Sequence, residues 1–149
     1  MIENIVEVFD NGAGLEYGLS YEAREALKLN TGAKFPVATR WTYCGHVYEN
    51  INCPKPIPDM SGLVYATQGW KTWVVLNPDG TQRFVIQVPR ISEKSIPDQG
   101  DIGEPLPLKG GATHVMYGEG GDGDRYDCRF YFNMHTGELM KVDFVGRHW

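Results

Sequence analysis

Apolar and polar positions alternate most regularly between Trp70 and Val88, on either side of Asn77-Pro78-Asp79-Gly80. Asn77 can bond the backbone two residues on, Pro78 pre-sets φ for the first central turn position, and Gly80 accepts φ > 0. This combination predicts a three-residue hairpin loop, a type I turn closed by a glycine bulge. With Asn77 opposite Thr81, the pairing runs outward as Leu76–Gln82, Val74–Phe84, Thr72–Ile86 and Trp70–Val88. Six of those eight residues are apolar and all share one face, whereas Lys71, Trp73, Val75, Arg83, Val85 and Gln87 make the other face mixed. A one-residue slip would exchange the two sets.

A second stretch, Tyr126 to Phe144, breaks at Met134-His135-Thr136-Gly137-Glu138. A His135-Thr136-Gly137 loop pairs Met134 with Glu138, then Phe132 with Met140, Phe130 with Val142 and Cys128 with Phe144. Tyr131–Lys141 and Arg129–Asp143 fall on the opposite side, the latter a favourable cross-strand charge pair. A four-residue loop would set Lys141 and Asp143 against Phe130 and Cys128, so the shorter loop is preferred.

The rest of the chain fits around these ribbons. Ile2 to Phe9 predicts a short strand ending at Asp10-Asn11-Gly12. Ser20 is the expected N-cap of a helix over Tyr21–Leu29, with Ala23, Ala26 and Leu27 down one side and Asn30-Thr31-Gly32 ending it. A helix this short must pack on the sheet to persist. Phe35 to Tyr43 alternates as a strand, with Pro36 placing it at an edge or a strand start, and Val47-Tyr48 is read as its continuation after Gly45. Cys53-Pro54-Lys55-Pro56-Ile57-Pro58 must be extended and is expected to cross the surface. Gly62 to Thr67 and Thr113 to Tyr117 read as further strands. Between them, Ser92 to Gly111 has no period and holds three prolines and four glycines, and a loop this long is usually functional or disordered. The fold expected is one mainly antiparallel β domain over residues 1–149. It has six to eight strands, arranged as a curved sheet or sandwich, with one short N-terminal helix.

Composition sharpens this picture in two places. A hydrophobic content of 42% and an aromatic content of 12% support a real core. The net charge of −5 is confined to one window. From Ser92 to Asp127 eight acids face only Lys94, Lys109 and Arg125, while acids and bases cancel elsewhere. Glu119, Asp122, Asp124 and Asp127 crowd the end of that window. Such a distribution argues against nucleic acid as partner, since phosphate binding needs a basic footprint. It suits a protein with a basic surface, drawn in by electrostatic steering. A solvated loop that only keeps the chain soluble stands beside that reading. The N-terminus has no basic stretch followed by a long apolar one, no segment is apolar enough to span a membrane, and the cysteines are odd in number. A cytoplasmic protein with reduced thiols, and no membrane partner, is expected.

Catalytic chemistry does not assemble from the spacing. Cys44, His46 and Cys53 are close together, yet no CxxC pair or second pair completes a zinc set. Counting an EF-hand from Asp122 places Asp127 where glycine is needed and Asn133 where a bidentate acid is needed. The Gly118-Glu-Gly-Gly-Asp-Gly run leads into a strand and carries acids, unlike a phosphate loop. No metal, cofactor or catalytic group is therefore assigned. Trp73 and Arg83, of types enriched among interface anchors, would hold a partner if their mixed face is open. If the helix or another sheet covers it, Trp73 is core, which is the favoured alternative. By elimination the chain reads as a small acidic binding protein or inhibitor. By analogy of class, it would behave as an immunity protein does towards a co-encoded basic toxin. In that reading Glu119, Asp122, Asp124 and Asp127 steer the partner, and Trp73 and Arg83 anchor it. One rival is an enzyme or ligand-binding β domain with a deep pocket lined by Trp41, Tyr43 or His114. The other is a structural, self-assembling subunit.

Overall fold

In the computed structural model, residues 1–69, 71–88, 102, 105–107, 113–119 and 125–148 are described. Asn11 organises the first reversal: its side chain accepts from the Ala13 amide at 3.0 Å. This joins β1 (Glu3–Phe9) to β2 (Gly14–Glu16). Helix α1 (Tyr21–Thr31) begins where Ser20 accepts the Ala23 amide at 3.2 Å. It ends where Gly32, at φ 74°, returns its own amide to Lys28, the left-handed stop that glycine makes without strain. Both caps are as the sequence predicts. None of the helix's residues is fully buried, so it rests on the sheet through side-chain contacts at its margin.

The chain then forms β3 (Pro36–Tyr43) and β4 (His46–Asn50). Cys44 at φ 49° and Gly45 at φ 78° make a two-residue reversal that pairs Tyr43 with His46, and positive φ at both positions suits the twist of a tight hairpin. Residues 47–48 therefore return antiparallel beside β3 instead of continuing it. The first sheet has the order β2-β1-β3-β4. A second sheet contains β5 (Lys55–Pro56), β6 (Leu63–Ala66), β7 (Thr72–Leu76) and β8 (Gln82–Gln87), in that order. The third contains β9 (Leu106–Pro107), β10 (Thr113–Glu119), β11 (Arg125–Asn133) and β12 (Leu139–His148), ordered β12-β11-β10-β9. All strand pairings among the described residues are antiparallel. Among the described residues the molecule is mainly β with one helix, and two-residue pairings such as β5 and β9 raise the count to twelve strand segments.

The second sheet is apolar on both sides. Val64, Trp73, Val75 and Ile86 share a core with Phe130, Phe132 and Met134 of the third sheet's hairpin. Leu63, Val74 and Leu76 pack with Ile2, Ile5 and Trp41 of the first-sheet region. A strand covered on both faces must be apolar at successive positions, which is why β7 contains the run Trp73-Val74-Val75-Leu76. The proline segment belongs to this interior: Pro54, Pro56 and Ile57 are buried, and β5 pairs with β6. It does not cross the surface, because an extended strand without amide donors still serves at a sheet edge.

The central hairpin turns as predicted and then departs from the predicted register. The Asn77 amide donates to Thr81 at 2.7 Å, the Gly80 amide donates to Asn77 at 2.9 Å, and Leu76 lies opposite Gln82. Beyond that, Val75 pairs with Phe84, Trp73 with Ile86 and Thr72 with Gln87. Arg83 is the extra residue of a β-bulge, and it shifts every later pair by one. Trp73 and Val75 thus share the core with Phe84 and Ile86, opposite to the arrangement the turn alone implies.

The second hairpin shows the converse. Its turn is one residue longer than expected: the Asn133 amide donates to Glu138 at 2.9 Å and that of Gly137 to Asn133 at 2.7 Å. Phe132 pairs with Leu139, after which a bulge restores Tyr131–Lys141, Phe130–Val142, Arg129–Asp143 and Cys128–Phe144. Met140 is the displaced residue and is 60% exposed. The bulge reconciles a four-residue turn with the buried face that Phe130 and Phe132 require. Of the irregular segment from Ser92 to Gly111, Ile102 is fully buried in the shared core and β9 pairs with β10. The 120–124 tip, Trp70 and Trp149 lie outside the described residues.

Candidate functional site

Trp73 is buried and Arg83 half-buried. Trp73 is fully buried, edge-to-face with Phe132 at 5.7 Å between ring centroids, so the mixed face is covered by the third sheet. The bulge aims Arg83 inward at three loops. Its Nε donates to Asn77 Oδ1 at 2.9 Å, Nη1 to the Met134 carbonyl at 3.0 Å and Nη2 to the Ser61 carbonyl. The covered face favoured by the sequence is the one found: Arg83 joins three turns, and Trp73 fills the core beneath them.

The same corner holds an Asp59–His135 pair, with His135 Nε2 at 2.8 Å from the Asp59 carboxylate. Burial pushes the Asp59 carboxyl up, but Ser61 and His135 outweigh it and hold the group below its ordinary value. Gly137, at φ 80°, lies against Phe84, and a Cβ there would come within 3.1 Å of the ring.

The acids fall at the other end of the third sheet. Strands β10 and β11 pair Thr113 with Asn133 at one end and Glu119 with Asp127 at the other. Two of the four acids singled out in the sequence are thus brought directly opposite each other, while Asp122 and Asp124 lie outside the described residues. Like charges directly opposite across a ladder are unfavourable. The register also brings bases alongside, which spacing did not reveal: Tyr126 lies opposite Arg147 and Arg125 opposite His148. The cause is an irregularity between Asp127 and Cys128, which pairs Asp127 with Gly146.

A third region was not legible in the sequence. A cleft of about 380 Å³ is lined by Glu7 of β1, Tyr17, Arg24 of α1, Pro36, Ala38 and Thr39 of β3, and Cys53, Pro54 and Lys55 around β5. Antiparallel pairing sets Glu7 opposite Thr39. Arg24 grips Glu7 with two hydrogen bonds, Nε at 3.2 Å and Nη2 at 2.8 Å, and lies 5.6 Å from the centroid of the Phe9 ring. The Thr39 hydroxyl donates to the Pro54 carbonyl at 2.9 Å. Burial, reinforced by the Glu7 charge, raises the pKa of both the Tyr17 hydroxyl and the Cys53 thiol. Both groups therefore stay protonated as donors at neutral pH. Cys53 has φ 52°, a conformation sparsely used by residues other than glycine. The nearest sequence signal was Glu7 as the one charge inside Ile5-Val6-Glu7-Val8-Phe9; its partners come from positions too distant for any spacing rule.

The remaining candidates do not converge. Cys44 is exposed at its hairpin turn, and among the described residues no three His, Cys, Asp or Glu side chains are grouped to hold a metal ion. Trp41 is buried, donates to the Pro78 carbonyl at 2.7 Å and stacks on Tyr48. It fastens the central turn instead of opening into a pocket. Among the described residues no helix is long and apolar enough to cross a membrane.

No protein-family model and no curated protein sequence matches this chain. Its fold does resemble a chain in the solved structure of Tne2 in complex with Tni2. The TM-score is 0.69, covering 98% of this chain and 100% of that one, at 15% sequence identity. At that identity the likeness concerns the fold.

Proposed function

We propose that this chain is a protein-binding inhibitor, an immunity-type neutraliser of a basic partner acting in the cytoplasm. The observation that carries the reading is the acidic end of β10 and β11. The entire charge excess of −5 falls in the window from Ser92 to Asp127, and pairing sets Glu119 against Asp127 at its close. Acidic residues at facing positions of a ladder favour a shared cation, so a basic surface is the partner that this end of the sheet would suit. The resemblance to a chain from a two-protein complex supports a protein partner in general. With Trp73 buried and Arg83 engaged by three loops, Glu119, Asp122, Asp124 and Asp127 are the binding residues of this proposal.

The test uses the intact chain and a Glu119→Gln/Asp122→Asn/Asp124→Asn/Asp127→Asn variant as baits in a lysate of the native host, at low and high salt. The expected result is capture of a basic protein by the wild type, weakened by salt and by the variant. Stopped-flow association with that protein should slow by about tenfold or more on neutralisation. Capture of no basic protein, or of one that associates equally fast with both baits, would overturn the proposal.

A further inference from the structure

We propose that Asn11-Gly12 is a covalent modification site, where water converts the Asn11 carboxamide to a carboxylate, and that the product loosens the end of α1 from the β1–β2 turn. This goes beyond the protein-binding reading and does not depend on it.

Seven asparagines occur in the chain, and only Asn11 precedes a glycine. A backbone nitrogen attacks the asparagine before it most readily when its own residue has no side chain to obstruct the approach, and glycine gives the backbone freedom to reach that geometry. In the first step the Gly12 nitrogen loses its proton to base and bonds to Asn11 Cγ. The Cγ–Nδ2 bond breaks, and Nδ2 takes a proton from water and leaves as ammonia. Water then opens the resulting five-membered imide at either carbonyl, giving aspartate or its isomer in which the main chain runs through the side-chain carbonyl. No electrons are transferred, and water is the co-reactant throughout. Asn11 and Gly12 are both exposed, so water reaches them.

The closed turn opposes this reaction. The Gly12 amide, which must lose its proton, donates to the Phe9 carbonyl at 2.9 Å. Asn11 Oδ1 accepts the Ala13 amide at 3.0 Å, and Nδ2, the leaving nitrogen, donates to the Thr31 carbonyl at 2.9 Å. Attack breaks the first of these bonds and loss of ammonia breaks the last, so the reaction runs in molecules whose turn and helix end have opened locally. The product does not restore the closed state. A carboxylate has no N–H to offer the Thr31 carbonyl, and it stands at the C-terminal, negative end of a helix, where an anion is unfavourable. A Cβ on Gly32 would lie 3.7 Å from Asn11 Nδ2, which sets the new charge beside the cap. Opening permits conversion and conversion favours opening, so the site is a one-way record of how often the end of α1 lets go.

The full chain is incubated at mildly alkaline pH, folded and in guanidinium chloride, and conversion at Asn11 is followed by peptide-resolved mass spectrometry. Asn133, which precedes methionine, is the internal reference. In the unfolded chain Asn11 should convert several-fold faster than Asn133, with aspartate and its isomer both formed, and in the folded chain Asn11 should convert several-fold more slowly than in the unfolded one. The consequence is read by amide hydrogen exchange of wild type against Asn11→Asp, and against the spontaneously converted protein, purified by ion exchange, should that variant fail to fold. Exchange at Asn30, Thr31 and Gly32 should quicken several-fold, with that of the Asn77 amide in the central turn unchanged. Equal rates at Asn11 and Asn133 in the unfolded chain, equal rates at Asn11 in folded and unfolded protein, or unchanged exchange at the end of α1 would overturn the proposal.

Discussion

Strand β11 has two ends with different physical characters. At Asn133 it enters a turn fixed from all sides: Arg83 donates to the Met134 carbonyl, His135 meets Asp59, Gly137 lies against Phe84, and the Met134 side chain is fully buried. At Arg125–Asp127 the strand carries charge, with Asp127 opposite Glu119 and two arginines on neighbouring positions of β11 and β12. The first end is a polar clamp whose members satisfy one another. The second brings two acids to facing positions of the ladder, and like charges so placed add nothing to folding. Under the proposed function, groups that serve the fold and groups that meet a partner lie at opposite ends of one strand.

The largest effect expected belongs to the clamped end. Trp73→Ala removes a fully buried ring packed on Phe132 and should destabilise by about 3–5 kcal/mol, measured by urea unfolding. A loss below ~1 kcal/mol would mean that the third sheet does not cover this face. Arg83→Ala should cost about 2–3 kcal/mol, because hydrogen bonds to a charged donor are lost and two loop carbonyls keep no comparable partner. Arg83→Lys should recover only part of that, since an ammonium cannot span the three acceptors.

Acid sharpens the comparison further. Asp59 is held below its ordinary carboxyl value, so the folded state binds fewer protons there than the unfolded chain. The stability this contributes is present above the unfolded carboxyl value and is lost as pH falls through the depressed folded one. Wild type should therefore exceed Asp59→Asn near neutrality and converge on it in strong acid, in unfolding titrations across that range. Constant separation between the two curves would show that the Asp59–His135 pair has no part in the clamp. The smallest effect is expected at the other end of β11. Replacing Glu119 and Asp127 by Gln and Asn should leave stability within about 0.5 kcal/mol, or raise it slightly as repulsion is relieved.

Local chemistry made much of this legible. Ser20 and Gly32 bound the helix as their side-chain properties require, and the Asn77–Gly80 reversal closes as its residues demand. What the sequence concealed was coverage. Pattern arguments assume that one face of a strand is wet, yet β7 is buried on both, so a slip of one residue leaves apolar groups on either side and the alternation loses its power to fix register. The decisive residue was Arg83, whose bulge places a cation where three turns meet, and no local preference announces such a meeting. In the second hairpin the outer register was readable because Lys141 and Asp143 could not be buried against Phe130 and Cys128. The bulge at Met140 honoured that demand although the turn was longer. The cleft was invisible for a simpler reason: Glu7, Arg24 and Lys55 become neighbours only after three elements have folded together. The acids at 119 and 127 were legible as a cluster, but their opposition across a ladder was not.

The proposed functional division along β11 is tested most directly by the ionic-strength dependence of association between this chain and the basic partner proposed for it, compared with the Glu119→Gln/Asp127→Asn variant. The account predicts a steep fall in the wild-type association rate with salt and a shallower one for the variant, both proteins being equally stable. Identical salt slopes for the two proteins would contradict it.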